Sequence, residues 1–99
     1  MRLRVAAEVE AELDEIWLYV APESGDLNIA SRLINSITDQ FFRLSRHPHL
    51  GRRRDHDLRV GLRSSSSGAY VIVYRIEEGD VLILNVLHGR RDLKTLLHQ

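Results

Sequence analysis

Apolar residues recur along this chain with two periods, a helical one in the first half and an alternating one in the second. In "AAEVEAELDEIWLYVA", Val9, Leu13, Ile16, Trp17 and Val20 fall on one helical face. The acids Glu8, Glu10, Glu12, Asp14 and Glu15 crowd its first half, where the positive end of the helix dipole favours them. "PESGD" is expected to end this helix, since Pro22 cannot continue it and Gly25 permits a turn. Asp26 is the expected cap of a second helix. The apolar face of that helix is Ala30, Leu33, Ile34, Ile37, Phe41 and Leu44, and Pro48 and Gly51 end it. So short a connection makes the two helices an antiparallel hairpin.

The second half reads as strands. "LRV" at residues 3–5 supplies a short strand ahead of the hairpin. After it, "DLRVGLR" alternates Leu58, Val60 and Leu62 with Arg59, Gly61 and Arg63. "SSSSG" reads as a flexible polar turn. "AYVIVYRI" and "VLILNVL" follow, joined by "EEGD", which completes an antiparallel meander. The tail "RRDLKTLLHQ" allows one or two helical turns, capped by Asp92, with Leu93, Leu96 and Leu97 on one side. The expected class is therefore α+β, with element order β-α-α-β-β-β. A helical hairpin packs on a small, mainly antiparallel sheet within one domain spanning residues 1–99.

The last two strands depart from the pattern of a sheet with one wet face. Val71 and Val73 oppose Ile72 and Tyr74, and Leu82 and Leu84 oppose Val81 and Ile83. One hairpin covers one face. The other needs the tail, a second copy or a partner chain, because a large bare apolar face is unusual for a monomer.

Composition narrows the function. There is no cysteine, which excludes disulfide and thiolate chemistry and suits a reducing compartment. "MRLRVAAEVE" lacks the apolar run of a signal peptide or membrane helix, so a soluble, cytoplasmic protein is expected. The net charge is zero, yet unevenly spread. Residues 1–42 carry eight acids against three bases, and residues 43–63 carry seven arginines against two acids. Such a field steers an acidic partner even without net charge. Arginine outnumbers lysine thirteen to one, which suits planar recognition of carboxylate or phosphate, although a high-GC genome also raises its count.

Candidate chemistry is sparse. "HPHLGRRRDHD" holds His47, His49, His56, Asp55 and Asp57, types that bind zinc. Three arginines among them oppose a divalent cation, so a solvated connection is the better reading and no metal or other cofactor is expected. There is no nucleophile elbow and no glycine-rich phosphate loop. A metal-independent ribonuclease needs cations at the phosphate and a group for proton transfer. Arg63, Arg75, Arg90, Arg91 and His88 are the available types, and each is equally readable as a strand-end or exposed residue. "NVLHGRRD" is the stretch that packing explains least: apolar residues end at Leu87, Gly89 releases the backbone from the strand, and His88, Arg90 and Arg91 remain unaccounted for.

Several stretches together resemble the ParE branch of the RelE/ParE toxin superfamily of bacterial type II toxin–antitoxin systems. They are "ELDEIWLYVAPESGD", "ASRLINSITDQFFRLSRHPHLGRRR", "LRVGLRS", "AYVIVYRI" and "VLHGRRDL", which cover nearly the whole chain in order. The resemblance implies a helical hairpin on an antiparallel sheet. It implies one of two activities: poisoning of DNA gyrase, as in ParE-like toxins, or ribosome-dependent cleavage of messenger RNA, as in RelE-like toxins. It also implies a cognate antitoxin whose extended part wraps the toxin. RelE-like nucleases usually carry an arginine in the central strand, in a pattern like Y-R-x-x-Y. Here the strand reads "YVIVY", with Val71 at the matching position, and no aromatic follows the final arginines. These departures favour gyrase poisoning by binding, with no catalytic residue of the toxin's own.

Two residue sets follow. The candidates for the target are His88, Arg90 and Arg91 at the strand end, with Arg52, Arg53 and Arg54 second. The candidates for the antitoxin are Val71, Val73, Leu82 and Leu84, with Arg59, Arg63 and Arg75 beside them.

Overall fold

The computed structural model describes residues 1–92. Its elements are β1 (Arg2–Val5), α1 (Ala7–Ser24), α2 (Leu27–Arg46), β2 (Arg52–Arg53), β3 (Arg63–Ser67), β4 (Tyr70–Glu77) and β5 (Asp80–His88). The strands form one five-stranded sheet in the order β1-β5-β4-β3-β2. Only β1 with β5 is parallel; the other pairs are antiparallel.

The helical hairpin forms as its pattern predicts, with one correction. Helix α1 runs through Pro22 and ends at Gly25, which takes the left-handed conformation (φ 69°) and donates its N–H to the Ala21 carbonyl. Pro22 lies in the last turns, and the ladder bond it removes would have gone to Leu18, whose side chain is itself exposed. Losing that bond at a solvated end costs far less than in a helix interior. Asp26 caps α2 as expected, accepting from the Asn28 N–H at 2.8 Å. Both helices lie on one sheet face. Val9 and Ile16 of α1 and Ile37, Phe41 and Leu44 of α2 meet Tyr70, Ile72 and Tyr74 of β4 and Val81, Ile83 and Val86 of β5.

The third strand is displaced from where alternation put it. "DLRVGLR" is a run of turns, and the serine run is the strand: Arg63–Ser67 pairs with Tyr70–Tyr74. Only Gly68 and Ala69 turn between them. Two carboxylates hold the 54–62 segment out of the sheet. Asp55 accepts from the Gly61 N–H at 2.8 Å, with Gly61 at φ 86°, a conformation no extended strand adopts. Asp57 clasps the Arg54 guanidinium, which also donates to Ser64 Oγ at 3.1 Å. The serines then gain strand partners that outweigh their poor intrinsic preference.

A bulge interrupts β4–β5, so that Val73 faces Asn85 while Tyr74 faces Ile83, leaving Leu84 as the extra residue. The second sheet face is consequently less bare than the alternation implies. Val71 and Val73 are 8% and 2% exposed, although they oppose the helical face. Gly89 packs over Val71, and Leu58, Val60 and Leu62 of the turn segment come up beside Val73. Leu82 and Leu84 stay half-buried and Arg75 is exposed. The expected tail helix, with Leu93, Leu96 and Leu97, lies outside the described residues.

Candidate functional site

The strand-end tip is built by short-range hydrogen bonds. The Gly89 N–H donates to the Ala69 carbonyl at 2.8 Å, which pins the exit of β5 to the start of β4. Asp92 folds back: its carboxylate accepts from the His88 N–H at 3.0 Å and from Arg91 Nε at 3.1 Å. Those bonds, the one from His88 first, hold its pKa below the usual carboxylate value. His88 Nδ1 accepts from the Arg91 N–H at 3.2 Å. With Nδ1 an acceptor, the proton of the neutral imidazole sits on Nε2, which is left as a donor.

Aromatic rings complete the tip. Tyr70 meets His88 edge-on with ring centres 5.5 Å apart, and the Arg91 guanidinium lies 6.0 Å from the Tyr19 ring centre. Glu15, Tyr19, Tyr70, His88, Arg91 and Asp92 line a small recess of about 220 Å³. Burial pushes the Tyr70 phenol up, so it is a neutral donor here. Arg90 is exposed beside the recess. The two carboxylates in the lining, Glu15 and Asp92, offset the Arg91 charge within the recess, so the exposed Arg90 at its side is the cation best placed for a carboxylate or phosphate of a large partner.

The second arginine group is not a uniform triplet. Arg52 and Arg53 are exposed on β2, with Arg53 bonded to Asp55 at 2.8 Å. Arg54 is 8% exposed and is committed to Asp57 and Ser64, so it is a strut of the fold and not a contact for a target. Nor does the fold bring this group to the tip. Tyr70 lies opposite His88, whereas β2 pairs beside Arg63, opposite Tyr74. Four residues of β4 at about 3.3 Å each and three strand spacings of about 4.8 Å separate the two surfaces.

The antitoxin candidates divide similarly. Leu84, Arg59 and Arg75 line an open groove of about 530 Å³ on the second sheet face, together with Val60, Val73 and Asn85. Leu82 is half-buried on β5 beside it. Val71 and Val73 are too buried to offer much surface, and Val73 forms only part of the floor. Arg63 is directed elsewhere, donating to the Gly51 carbonyl at 2.9 Å, and Arg75 pairs with Glu77 at 2.6 Å.

Three residues escaped the sequence reading. Tyr19 and Tyr70 belong to the tip. Glu12 accepts from the Val86 N–H at 2.9 Å and from Asn85 at 3.1 Å, along the part of β5 that β1 does not reach. Burial holds its carboxyl above the ordinary value, against those two hydrogen bonds. The tyrosines bounding "YVIVY" share one face by strand alternation, which was the available signal.

A hairpin of helices on a sheet of this order is the architecture of small toxin–antitoxin toxins. The chain superposes on a structure titled "Chromosomal ParDE TA system from P. aeruginosa" with a TM-score of 0.77 and 20% identity, covering 89% of this chain and 95% of that one. A structure of the toxin–antitoxin complex RelBE2 from Mycobacterium tuberculosis matches at a TM-score of 0.62 and 26% identity, covering 88% and 95% of the two chains. Among curated proteins, Toxin ParE3 of Caulobacter vibrioides is 40% identical over 89 residues, 90% of this chain and 87% of that protein. The family model described as ParE toxin of type II toxin-antitoxin system, parDE, matches residues 3–93. The chain belongs to the ParE toxin family of type II toxin–antitoxin systems.

Proposed function

We propose that this ParE toxin acts by binding DNA gyrase and stabilising the state in which gyrase holds cleaved DNA, and that it does no chemistry of its own. The observation that carries this reading is Val71. The position at which RelE-like nucleases usually bear an arginine is here an apolar side chain, 8% exposed, on the sheet face away from the helices. Valine offers no charge to a phosphorane-like transition state. His88 and Arg91 remain at the tip, but a histidine and an arginine without that central cation make a poor nuclease and a good docking point. Arg90 and Arg91 with His88 are the first contacts for gyrase, and exposed Arg52 and Arg53 the second.

The partner that silences the toxin is a cognate antitoxin. Its extended segment occupies the groove of Leu84, Arg59, Arg75 and Val60, beside Leu82. Apolar area buried there contributes at about 25 cal/mol per Å², less the cost of ordering the segment. The toxin works in the cytoplasm, where gyrase is; among the described residues no helix is long and apolar enough to cross a membrane. Induction of the chain alone in a bacterium tests the reading. DNA-damage signalling with intact messages is expected. Rapid ribosome-dependent message cleavage without DNA breaks would overturn it in favour of a RelE-like ribonuclease.

A further inference from the structure

Strand β1 ends one side of the sheet and leaves its outer edge open, since no strand lies beyond it in the order β1-β5-β4-β3-β2. Along a paired strand the backbone groups turn alternately toward and away from the neighbour. The Ala6 N–H donates to the Ile83 carbonyl at 2.9 Å, and Val5 is the residue in register with Ile83. Arg2, Arg4 and Ala6 therefore direct their backbone groups to β5, and the N–H and C=O of Leu3 and Val5 point outward. Among the described residues no hydrogen bond reaches those outward groups. A bare edge is commonly blunted by charge. Here the charge lies on one face only. Arg2 and Arg4 share the second sheet face with Leu82, while Leu3 and Val5 face the helices beside the core residues Val81 and Ile83. On that helical side Val5 is 47% exposed, and so is much of Met1, whose nitrogen donates to the Ser45 carbonyl of α2. Phe42, one turn before Ser45, is 56% exposed. The edge offers main-chain donors and acceptors in line, with an apolar ledge on one side and arginines on the other.

That arrangement is the complement of an extended chain. A strand laid antiparallel to β1 exchanges both main-chain bonds with Leu3 and both with Val5, and its side chains alternate between the ledge and the arginines. A second copy of this chain fits poorly. Two β1 edges paired about a twofold axis, with Leu3 opposite Val5, set Arg4 against Arg4, and like charges directly opposite are destabilising. A segment with carboxylates on one face and apolar residues on the other meets no such conflict. Arg4 is already held by Asp80 at 2.9 Å, but Arg2 is exposed, and among the described residues no carboxylate pairs with it. The groove of Leu84 and Arg59 leads to this edge. Ala6 and Glu8, which follow β1, line that groove, and Leu82 beside it stands in register with Arg4. A chain leaving the groove on this side comes alongside Val5.

We propose that the antitoxin's extended segment, on leaving the groove, pairs with β1 as a further strand of the sheet, antiparallel to it, with apolar residues toward Val5 and Met1 and a carboxylate toward Arg2. This rests on the antitoxin reading, and the test separates the two. Amide hydrogen exchange is followed residue by residue in the toxin alone and in its purified complex with the cognate antitoxin. In the free toxin Arg4 and Ala6 should be protected, while Leu3 and Val5 exchange freely. In the complex Leu3 and Val5 should slow by at least about tenfold, as a newly made main-chain bond requires. Val5→Pro removes one outward N–H, a change an edge strand tolerates, and should weaken antitoxin binding about tenfold. Val5→Ala keeps the N–H and should weaken it less. Melting curves check that the variants fold, and the exchange measurement, made on the unaltered chain, stands even where Val5→Pro does not. Unprotected Leu3 and Val5 in a complex that Leu84→Asp weakens would overturn the edge pairing and leave the groove reading intact. Affinity unchanged by both Leu84→Asp and Val5→Pro would overturn both. Protection of Leu3 and Val5 that grows with concentration in the toxin alone would overturn the proposal in favour of a second copy.

Discussion

Gly51 occupies a position where only a hydrogen in place of a side chain fits, and its replacement by alanine should be among the most damaging single-methyl additions in the chain. A Cβ there would lie 2.6 Å from Tyr74 Cε1 and 2.8 Å from Cζ, and closest of all to the hydroxyl. Tyr74 is fully buried and cannot swing away. Its hydroxyl donates to the Pro48 carbonyl at 2.7 Å and accepts from the Gly51 N–H at 2.9 Å, while Arg63 holds the Gly51 carbonyl. This triangle fastens the end of α2 to the centre of the sheet. Gly51→Ala forces either the 48–52 segment off the sheet or Tyr74 out of the core. Two lost hydrogen bonds at about 1 kcal/mol each and about 1–3 kcal/mol of overpacking give a destabilisation of about 3–5 kcal/mol. For a domain of this size that lowers the melting temperature by at least about 12 °C. The assay is urea unfolding and thermal melting of Gly51→Ala, Tyr74→Phe and the double variant. Removing the hydroxyl relieves the closest of the three contacts and forfeits the same two hydrogen bonds, so the double variant should be less destabilised than the sum of the singles. A melting temperature for Gly51→Ala within about 2 °C of the parent, a shift worth under about 0.5 kcal/mol, would refute the packing argument.

Three other outcomes are expected. Because burial raises the Glu12 carboxyl above 4.5 in the folded chain, the fold binds its proton more tightly, so its contribution to stability falls as pH rises from about 4.5 through the folded value. Glu12→Gln should match or exceed the parent's stability at neutral pH and lose that decline, and a variant less stable at every pH would sink the idea. Arg54→Ala should clearly lower the urea midpoint and unpin the 54–62 segment to proteolysis, whereas Arg52→Ala should stay within about 0.5 kcal/mol; equal effects would deny Arg54 its strut role. In cells, Arg90→Ala with Arg91→Ala should abolish toxicity yet retain antitoxin pull-down, and Leu84→Asp should weaken pull-down in a folded toxin; the reverse pairing of losses would exchange the two surfaces.

Local chemistry determined much of this protein directly from sequence. The two helices, the Asp26 cap, the β4–β5 hairpin through Glu78 and Gly79 and the exit of β5 at Gly89 follow from periodicity and from residues whose backbone preferences act within a few positions. The "VLHGRRD" ending also marked the strand end as a candidate site, because His88, Arg90 and Arg91 had no packing or turn reason to be there. Long-range partners decided the rest. Whether "DLRVGLR" or "RSSSS" became the strand depended on Asp55 and Asp57 reaching Gly61 and Arg54, contacts that strand alternation does not encode. The same network turned one of three adjacent arginines inward and left two outside. Folding back of the 54–62 segment and of Gly89 buried Val71 and Val73, leaving Leu82 and Leu84 as the accessible apolar residues of that face. Tyr19 joined the tip, and Glu12 the edge of β5, only because α1 lies along that strand. A period names the face a residue occupies; what covers that face is set by chain segments many residues away, and only the tertiary structure brings them together.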